Sequence, residues 1–334
     1  MTCHTTYLAQ GINLKFLQGS ADHFQGTGRF ASKGPFFGID EQAMSQPMPA
    51  TQLIREAICR KLQDIPPLPH VVGELMTELQ AEETTTAGKL EALILRDPAL
   101  AAKTLRVVNS AYYGLSRKIL NIGQAVVILG TQQLRNLLMS LAAVSLLQAR
   151  TAKQKALQKT FWEHSIATAI CAELICRRKG LPAKEGEIAF VGGLLHEVGR
   201  LFLFTNLPDT YQKVVDYAIA QNHKLSVVEN SVLGISHDDI GIELARIWKF
   251  PETLEAFIGG HDGPFAEHAP YALLAVHAAH VKVEGLFEAP FDNGELDPAA
   301  QQWLGFEEFD WIMLRDETSQ RMHGQFEMLT QAAA

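Results

Sequence analysis

Cysteine is scarce in this chain. Its 334 residues hold four, Cys3, Cys59, Cys171 and Cys176. No two form a C-x-x-C pair, so a zinc ribbon and a thioredoxin-like redox site are excluded. Such sparse use fits a reducing compartment, and the cytoplasm is the expected location. Basic residues are outnumbered: 29 Lys and Arg stand against 37 Asp and Glu, for a formal net charge of −8. A nucleic-acid partner, which would call for a basic excess, is therefore not expected. No basic start followed by an apolar segment reads as a signal peptide. No uninterrupted apolar run approaches the roughly 20 residues that cross a bilayer, so no membrane role is expected. Strand signals are missing, since no hairpin dipeptide sits between alternating runs, and no fixed-period repeat is visible. The sequence also lacks G-x-S-x-G, the phosphate-cradling G-x-x-x-x-G-K and H-E-x-x-H.

What is present is a 47% apolar chain, enough to bury a substantial core, with helical periodicity over most of its length. The first 48 residues are the exception. They are rich in Gly, Ser and Gln with scattered Phe, and read as a partly ordered leader that could drape over an apolar groove. From Thr51, taken as a cap, TQLIREAICRKLQDI places Leu53, Ile54, Ala57, Ile58, Leu62 and Ile65 on one face. PPLP at 66–69 forces an extended break before HVVGELMTELQ resumes the period. Asp97 can cap the next helix, Pro98 suits its first turn and Gly114 can stop it. Asn121 and Thr131 look like successive caps around the Gly130 step.

A second helical block starts near Lys153. KTFWEHSIATAICAELICRRKG is a long amphipathic helix closed by Gly180, with Cys171 and Cys176 as small core residues. Its basic end, Arg177 to Lys179, reads as complementing the helix dipole. KEGEIAFVGGLLHEVGRLFLF follows as one central buried helix, apolar on nearly every side. Further helices are expected over 208–221, 225–234, 238–248, 251–260 and 269–285, and one more near 306–317. The expected fold class is all-α. A leader (1–48) precedes two helical lobes (51–150 and 153–285), and an extension (286–334) follows.

Nine of the twelve histidines lie from residue 164 onward. His164, His196, His237, His261 and His280 each belong to a different expected helix or helix end, and Glu197 adjoins His196. Imidazole and carboxylate together suit zinc, manganese or iron. A buried Glu197 needs a partner, a proton or an exit to solvent. Arg200, three residues on, could pair with it without any metal. SHDD at 236–239 reads as a helix start, with the cap at Ser236 or His237 and both acids in the first turn. His277 and His280 share one helical face, one of them core and the other a possible ligand.

LPPLPHVVGELMTEL, DPALAAKTLRVVNSAYYG, NIGQAVVILGTQQLRNLLM, FWEHSIATAICAEL and FVGGLLHEVGRLFL, in that order, resemble the bacterial HDOD domain, the HD-related output domain. The specific marks are Asp97-Pro98, Asn109-Ser110, Leu129-Gly130, Trp162-x-His164 and Gly193-Leu194-Leu195-His196. The resemblance spans roughly 60–285. It implies a two-lobed helical fold related to HD metal-dependent phosphohydrolases, and a regulatory role in bacterial signalling, often without enzymatic activity. Relatives such as the HD-GYP phosphodiesterases of cyclic di-GMP hold metals with a His, a His-Asp doublet, further histidines and a final Asp.

By that resemblance His164 and His196 match the first ligand and the doublet histidine, and His237 and His261 match the later ones. The departures are Glu197 for the doublet's Asp, Asp262 for a second histidine, His280 for the closing Asp, and Arg200 for a lysine. Arg200 stays protonated at neutral pH and cannot act as a general acid. The resemblance thus implies a degenerate site: His164, His196, Glu197, His237, His261 and His280 as candidate ligands of a divalent Zn, Mn or Fe, with weakened hydrolysis. The expected function is a signalling module. No receiver, GGDEF-like or EAL-like motif appears, so it would engage a protein partner in trans or bind a small ligand such as a nucleotide or cyclic nucleotide. The rival readings are a metal-dependent phosphohydrolase acting on a nucleotide or cyclic dinucleotide, and a relic that holds a nucleotide without cleaving it.

Overall fold

The computed structural model describes residues 49–65, 73–74, 86–109, 115, 117–145, 151–266, 268–283, 286 and 294–333. The leader, the PPLP break, nearly all of the helix expected at 70–80 and the Gly114 stop lie outside them. Every regular element among the described residues is a helix, as the periodicity requires.

The first group comprises α1 (Pro49–Gln63), α2 (Ala87–Leu95), α3 (Pro98–Val108), α4 (Ile122–Leu129) and α5 (Thr131–Ser145). Thr51 is not the cap of α1. It lies inside the helix, and its hydroxyl donates to the Ser231 carbonyl, 3.5 Å away. Asp97 does cap α3, accepting from the Ala99 and Leu100 amides, and Pro98 fills the first turn. Removing such a cap costs about 1 kcal/mol. Asn109 ends α3 and ties it to the next segment: its amide donates to the Leu105 and Ile119 carbonyls, and its oxygen accepts from the Ile119 N–H. Asn121 caps α4. Helices α2 to α5 pack on one another, whereas α1 packs on helices of the second group.

That group is built round α6 (Ala152–Arg178), which opens with a Thr151–Gln154 capping box. From His164 to Cys176 nearly every side chain of α6 is buried, because α7 (Ala183–Leu195), α13 (Tyr271–Val283) and α15 (Glu308–Ala333) pack around it. Burial pushes the Cys171 and Cys176 thiols up to about 12, so neither is a nucleophile at neutral pH. The apolar stretch 183–206 is long enough by composition to span a membrane, but 89% of its most apolar window is buried inside this fold. It is a core segment. It is not one helix, as the periodicity suggests, but two, α7 and α8 (Val198–Asn206), broken at His196-Glu197.

Helices α9 (Pro208–Gln221), α10 (Leu225–Leu233), α11 (His237–Ile247) and α12 (Glu252–Gly260) follow close to the expected bounds. Asn222, in the left-handed region at φ 52, closes α9. Helix α1 packs on α10 and α11.

The C-terminal extension carries two helices rather than one: α14 (Pro298–Leu304), capped by Asp297, and α15, which is far longer than 306–317. The basic end of α6 does more than meet a dipole, since it fastens this extension. Arg177 pairs with Glu317 at 2.6 Å, and Lys179 donates to the Trp303 and Leu304 carbonyls. Helix α15 also packs on α3 and α5, and a buried Arg135–Glu187 ion pair joins α5 to α7.

Candidate metal centre

Six helices bring polar side chains to one point in an otherwise apolar core. His164 sits in the middle of α6 and His280 near the end of α13; both are buried. His164 Nε2 lies 3.0 Å from His280 Nδ1, and His196 Nε2 lies 3.0 Å from the same atom. Metal–nitrogen bonds of about 2.0–2.1 Å put neighbouring ligands about 3.0–3.4 Å apart in octahedral or tetrahedral geometry, so this spacing suits a shared cation. Hydrogen bonding alone satisfies it poorly. His196 Nδ1 is 2.8 Å from the Gly193 carbonyl, which places the ring's proton there and leaves Nε2 with a lone pair. Because His196 Nε2 carries a lone pair, His280 Nδ1 either donates to it, and then cannot accept a proton from His164 Nε2, or accepts from His164 and faces His196 lone pair to lone pair.

The helix break creates the second half of the site. Adjacent residues on an unbroken helix point about 100° apart. Here His196 ends α7 and Glu197, at φ −103 and ψ 20, begins α8, so both side chains enter the same space. Gly199 makes the arrangement possible. A Cβ there would stand 1.9 Å from the His237 carbonyl oxygen, so only glycine lets the first turns of α8 and α11 touch. That contact sets Glu197 Oε2 3.5 Å from His237 Nε2 and Glu197 Oε1 3.8 Å from His261 Nε2. Arg200 Nη1 also donates to Glu197 Oε1 at 3.1 Å. The ion pair suggested by spacing is therefore present together with the histidine cluster, not instead of it.

His237 opens α11 behind a Ser236–Asp239 capping box. Its Nδ1 lies 2.6 Å from Glu229 Oε2, its backbone N–H donates to the same oxygen at 2.8 Å, and Tyr211 O–H donates to Glu229 Oε1 at 2.6 Å. This carboxylate holds the ring proton on Nδ1 and turns Nε2 toward Glu197, the arrangement found behind metal-bound imidazoles. His261 ends α12 with Nδ1 3.2 Å from the Ile258 carbonyl, so its Nε2 also faces inward. Asp262 Oδ1 stands 3.6 Å from that nitrogen and 3.9 Å from His280 Nε2. All six residues expected from the sequence thus meet in one place. His277 does not join them: Nδ1 donates to the His261 carbonyl and Nε2 accepts from the Asp297 N–H.

Glu197 Oε2, His237 Nε2, Asp238 Oδ1 and His261 Nε2 are buried and make no hydrogen bond. A buried polar atom left unsatisfied costs roughly 1–3 kcal/mol, and more if charged. Four such atoms facing one another fit a cation, and the donor set of imidazole nitrogen and carboxylate oxygen suits a divalent transition metal. His164, His196, Glu197, His237, Asp238, His261, Asp262 and His280 form four overlapping groups of three, with ligand atoms within 4.8 Å of one another in each.

The electrostatics agree. Burial pushes the Glu197 carboxyl up, but Arg200, His237 and His261 outweigh it and hold it well below the usual carboxylate range. Burial pulls His237 down, yet Asp238, Glu229 and Glu197 drive it well above an ordinary imidazole. His261 is raised in the same way, against its burial, by Asp262 and Glu197. His196 goes the other way: burial, with His261 and His280 beside it, keeps it neutral. The carboxylates therefore demand positive charge, which protons on His237 and His261 or a metal can supply.

Sequence reasoning missed Asp238, Glu229, Tyr211 and Gly199. Asp238 was readable, since His237-Asp238 and His261-Asp262 are themselves His-Asp doublets; the capping signature of SHDD drew attention away from it. A cavity of about 300 Å³ borders the centre, lined by Lys224, His237, Asp262, His277 and Glu295 among others.

The HDOD domain pattern matches residues 65–264. An uncharacterized protein of Treponema pallidum (strain Nichols) is 28% identical over 220 residues, 66% of this chain and 41% of the relative. The chain thus spans about two fifths of that relative's length. A crystal structure from Shewanella amazonensis SB2B, provisionally described as a phosphohydrolase, superimposes with a TM-score of 0.59 at 26% identity, covering 83% of this chain and 98% of the other. A provisionally described signal transduction protein of Marinobacter aquaeolei VT8 superimposes with a TM-score of 0.67 at 19% identity, covering 88% and 69%, and supports the fold alone.

Proposed function

The chain belongs to the HDOD family, and from that premise and the geometry of its polar centre we propose that it is a regulatory signalling module whose degenerate HD-type site holds a divalent transition metal. The observation that carries this reading is the convergence of His164, His196 and His280 nitrogens on one point. The metal, Zn, Mn or Fe by its donor set, fastens α6, α7 and α13 together and supplies the positive charge the carboxylates require. Output then passes through the helical surface to a protein partner in trans, or through a small ligand such as a nucleotide bound over the centre. The cytoplasm is the compartment this reading assigns, since the two buried thiols and the apolar core segment call for neither an oxidising space nor a membrane.

Rapid hydrolysis is disfavoured on chemical grounds. The imidazoles and Glu197 are almost fully enclosed, Glu197 is held by Arg200, and that guanidinium cannot deliver a proton at neutral pH. A two-metal hydrolase needs an open position for water between its metals. The second reading, a metal-dependent phosphohydrolase, draws support from the 300 Å³ cavity beside His237 and Asp262, where Lys224 could meet a phosphate. It also draws on the 26% identical Shewanella structure.

Two measurements on the purified 334-residue chain decide between them. Elemental analysis of protein prepared without chelator is expected to find bound metal; none would remove the cage from the account. Turnover of bis(p-nitrophenyl) phosphate with added Mn²⁺ is expected to be negligible. Brisk turnover that is lost in His196→Ala, with folding retained, would establish the hydrolase instead.

A further inference from the structure

Ten large hydrophobic side chains are exposed among the described residues, and seven of them fall in two patches. Scattered singly they would need no explanation, but grouped apolar surface marks a place where something docks. The first patch lies on α2 and α4. A Cβ on Gly123 would stand 2.9 Å from Glu91 Oε1, so the two helices touch there. Leu95 lies one turn beyond Glu91 on α2, Val127 lies one turn beyond Gly123 on α4, and Leu120 just precedes α4. With Ile128, these exposed side chains share the outer side of one helix pair. Val127 is 85% and Leu120 71% exposed, although the Leu120 N–H is held by Gln124 Oε1. Helix α4 is thus apolar on both faces: Ile122, Ala125 and Val126 enter the core, while Val127 and Ile128 meet solvent.

The second patch lies on the first turns of α15. Trp311, Leu314 and Thr318 form the buried stripe of that helix. Lys282 Nζ, 5.3 Å from the centre of the Trp311 ring, and the Arg178 guanidinium, which donates to the Asp310 carbonyl, fix it in place. Phe309, Ile312 and Met313, at spacing i, i+3 and i+4, stand on another face, and Phe309 is 70% exposed. The two patches lie in segments of opposite charge. From α2 through α5, residues 86–145, seven Lys and Arg stand against two Asp and Glu, a net of +5 in a chain whose net charge is −8. Arg117 and Lys118, both exposed, come just before Leu120, and Arg96, paired with Glu74 at 2.6 Å, adjoins Leu95. Residues 306–317, around the second patch, hold five acids and one base, Arg315. Complementary charge steers such faces together, and like charge keeps each from pairing with itself.

We propose that copies of this chain associate head to tail, the α2–α4 face of one receiving the α15 face of the next. Neither patch covers the other within one chain, since both are exposed. The contact needs no metal in the polar centre and so goes beyond the proposed function. It also reaches the rest of the fold: α15 packs on α3, α5 and α6, so a partner seated on α15 bears on both helical groups. Each patch is small, so the association is weak and concentration-dependent.

Sedimentation velocity of the 334-residue chain tests this. At about 50 mM NaCl the mass is expected to rise above the 36.8 kDa monomer between about 1 and 100 μM protein, and to fall back at about 500 mM NaCl, where charge is screened. Val127→Glu sets an acid against the acidic α15 face, and Phe309→Lys sets a base against the basic α2–α4 face. Each variant alone is expected to stay monomeric. Mixed, they should form a 1:1 complex, because the first keeps a working α15 face and the second a working α2–α4 face. Both positions are exposed, and circular dichroism with thermal melting checks that each variant keeps its fold. A wild-type chain that stays at 36.8 kDa at about 100 μM and low salt overturns the proposal, as does association that strengthens with salt. Self-association lost in only one variant, or a mixture that stays monomeric, overturns the pairing of these two faces. The wild-type measurement needs no variant, and none of these outcomes touches the metal-bearing reading.

Discussion

Gly199→Ala is the sharpest structural perturbation the site offers. The added methyl would sit 1.9 Å from the His237 carbonyl oxygen and 2.9 Å from the Gly241 amide nitrogen. Both obstacles are backbone, so no rotamer change relieves them. Restoring a contact of about 3.2 Å requires α8 and α11 to part by roughly 1.3 Å, and overpacking of this kind costs about 1–3 kcal/mol or more. Taking about 3 kcal/mol, the thermal midpoint should fall by about 5 °C or more in a domain of this size. The same displacement would separate Glu197 from His237, now 3.5 Å apart, so metal affinity should drop along with stability. Gly88→Ala is the control. No atom lies within 4 Å of its Cβ position, in the first turn of α2. There the alanine should stabilise by about 0.5 kcal/mol, because glycine is the poorer helix former. Thermal and urea unfolding of both variants, with and without Zn²⁺, reads the pair. If Gly199→Ala melted within a degree of wild type and kept its metal, the close approach of α8 and α11 would be refuted.

Three other outcomes follow from the same geometry. Glu197→Gln in metal-free protein should lose about 3 kcal/mol, because it removes one charge of the buried Glu197–Arg200 pair, and urea unfolding would show it. Burial holds His277 down at about 4, below its unfolded value of about 6.5, because Nε2 must stay bare to accept from Asp297. Its contribution is therefore present above pH 6.5 and lost as pH falls toward 4. Between pH 7 and pH 5 metal-free protein should lose about 2 kcal/mol through this residue, and His277→Gln should flatten that part of the profile. His237 and His261 are raised, so their contribution runs the opposite way: present below pH 6.5 and lost as pH climbs through their folded values. A cation that takes their lone pairs must expel their protons, so titrating Mn²⁺ into weakly buffered protein at pH 7 should release acid. Flat pH would contradict the ionisation described for them.

Local chemistry made much of this molecule readable from its sequence. Asp97-Pro98 and Asn121 mark helix starts by satisfying backbone donors, and Gly180 marks a stop by accepting a positive φ. The five histidines and Glu197 stood out because titratable groups in apolar helices need an explanation. What stayed hidden depends on tertiary contact. The apolar period runs unbroken through His196-Glu197, so nothing local announces the break between α7 and α8. Gly199 looks like any helical glycine until the His237 carbonyl is placed against it. Nothing in the sequence singles out Glu229, which the fold buries between Tyr211 and His237. The basic end of α6 satisfies a dipole argument by itself, which concealed its role in fastening α14 and α15.

The claim beneath all of this is that imidazoles from separate helices surround one cation. X-ray absorption at the K-edge of the protein loaded with one equivalent of Zn²⁺ tests it most directly. The account predicts nitrogen or oxygen neighbours at about 2.0–2.1 Å with the outer-shell scattering of about three histidine rings, lost in His280→Ala. A spectrum of water-coordinated zinc without imidazole scattering, or one unchanged in that variant, would contradict it.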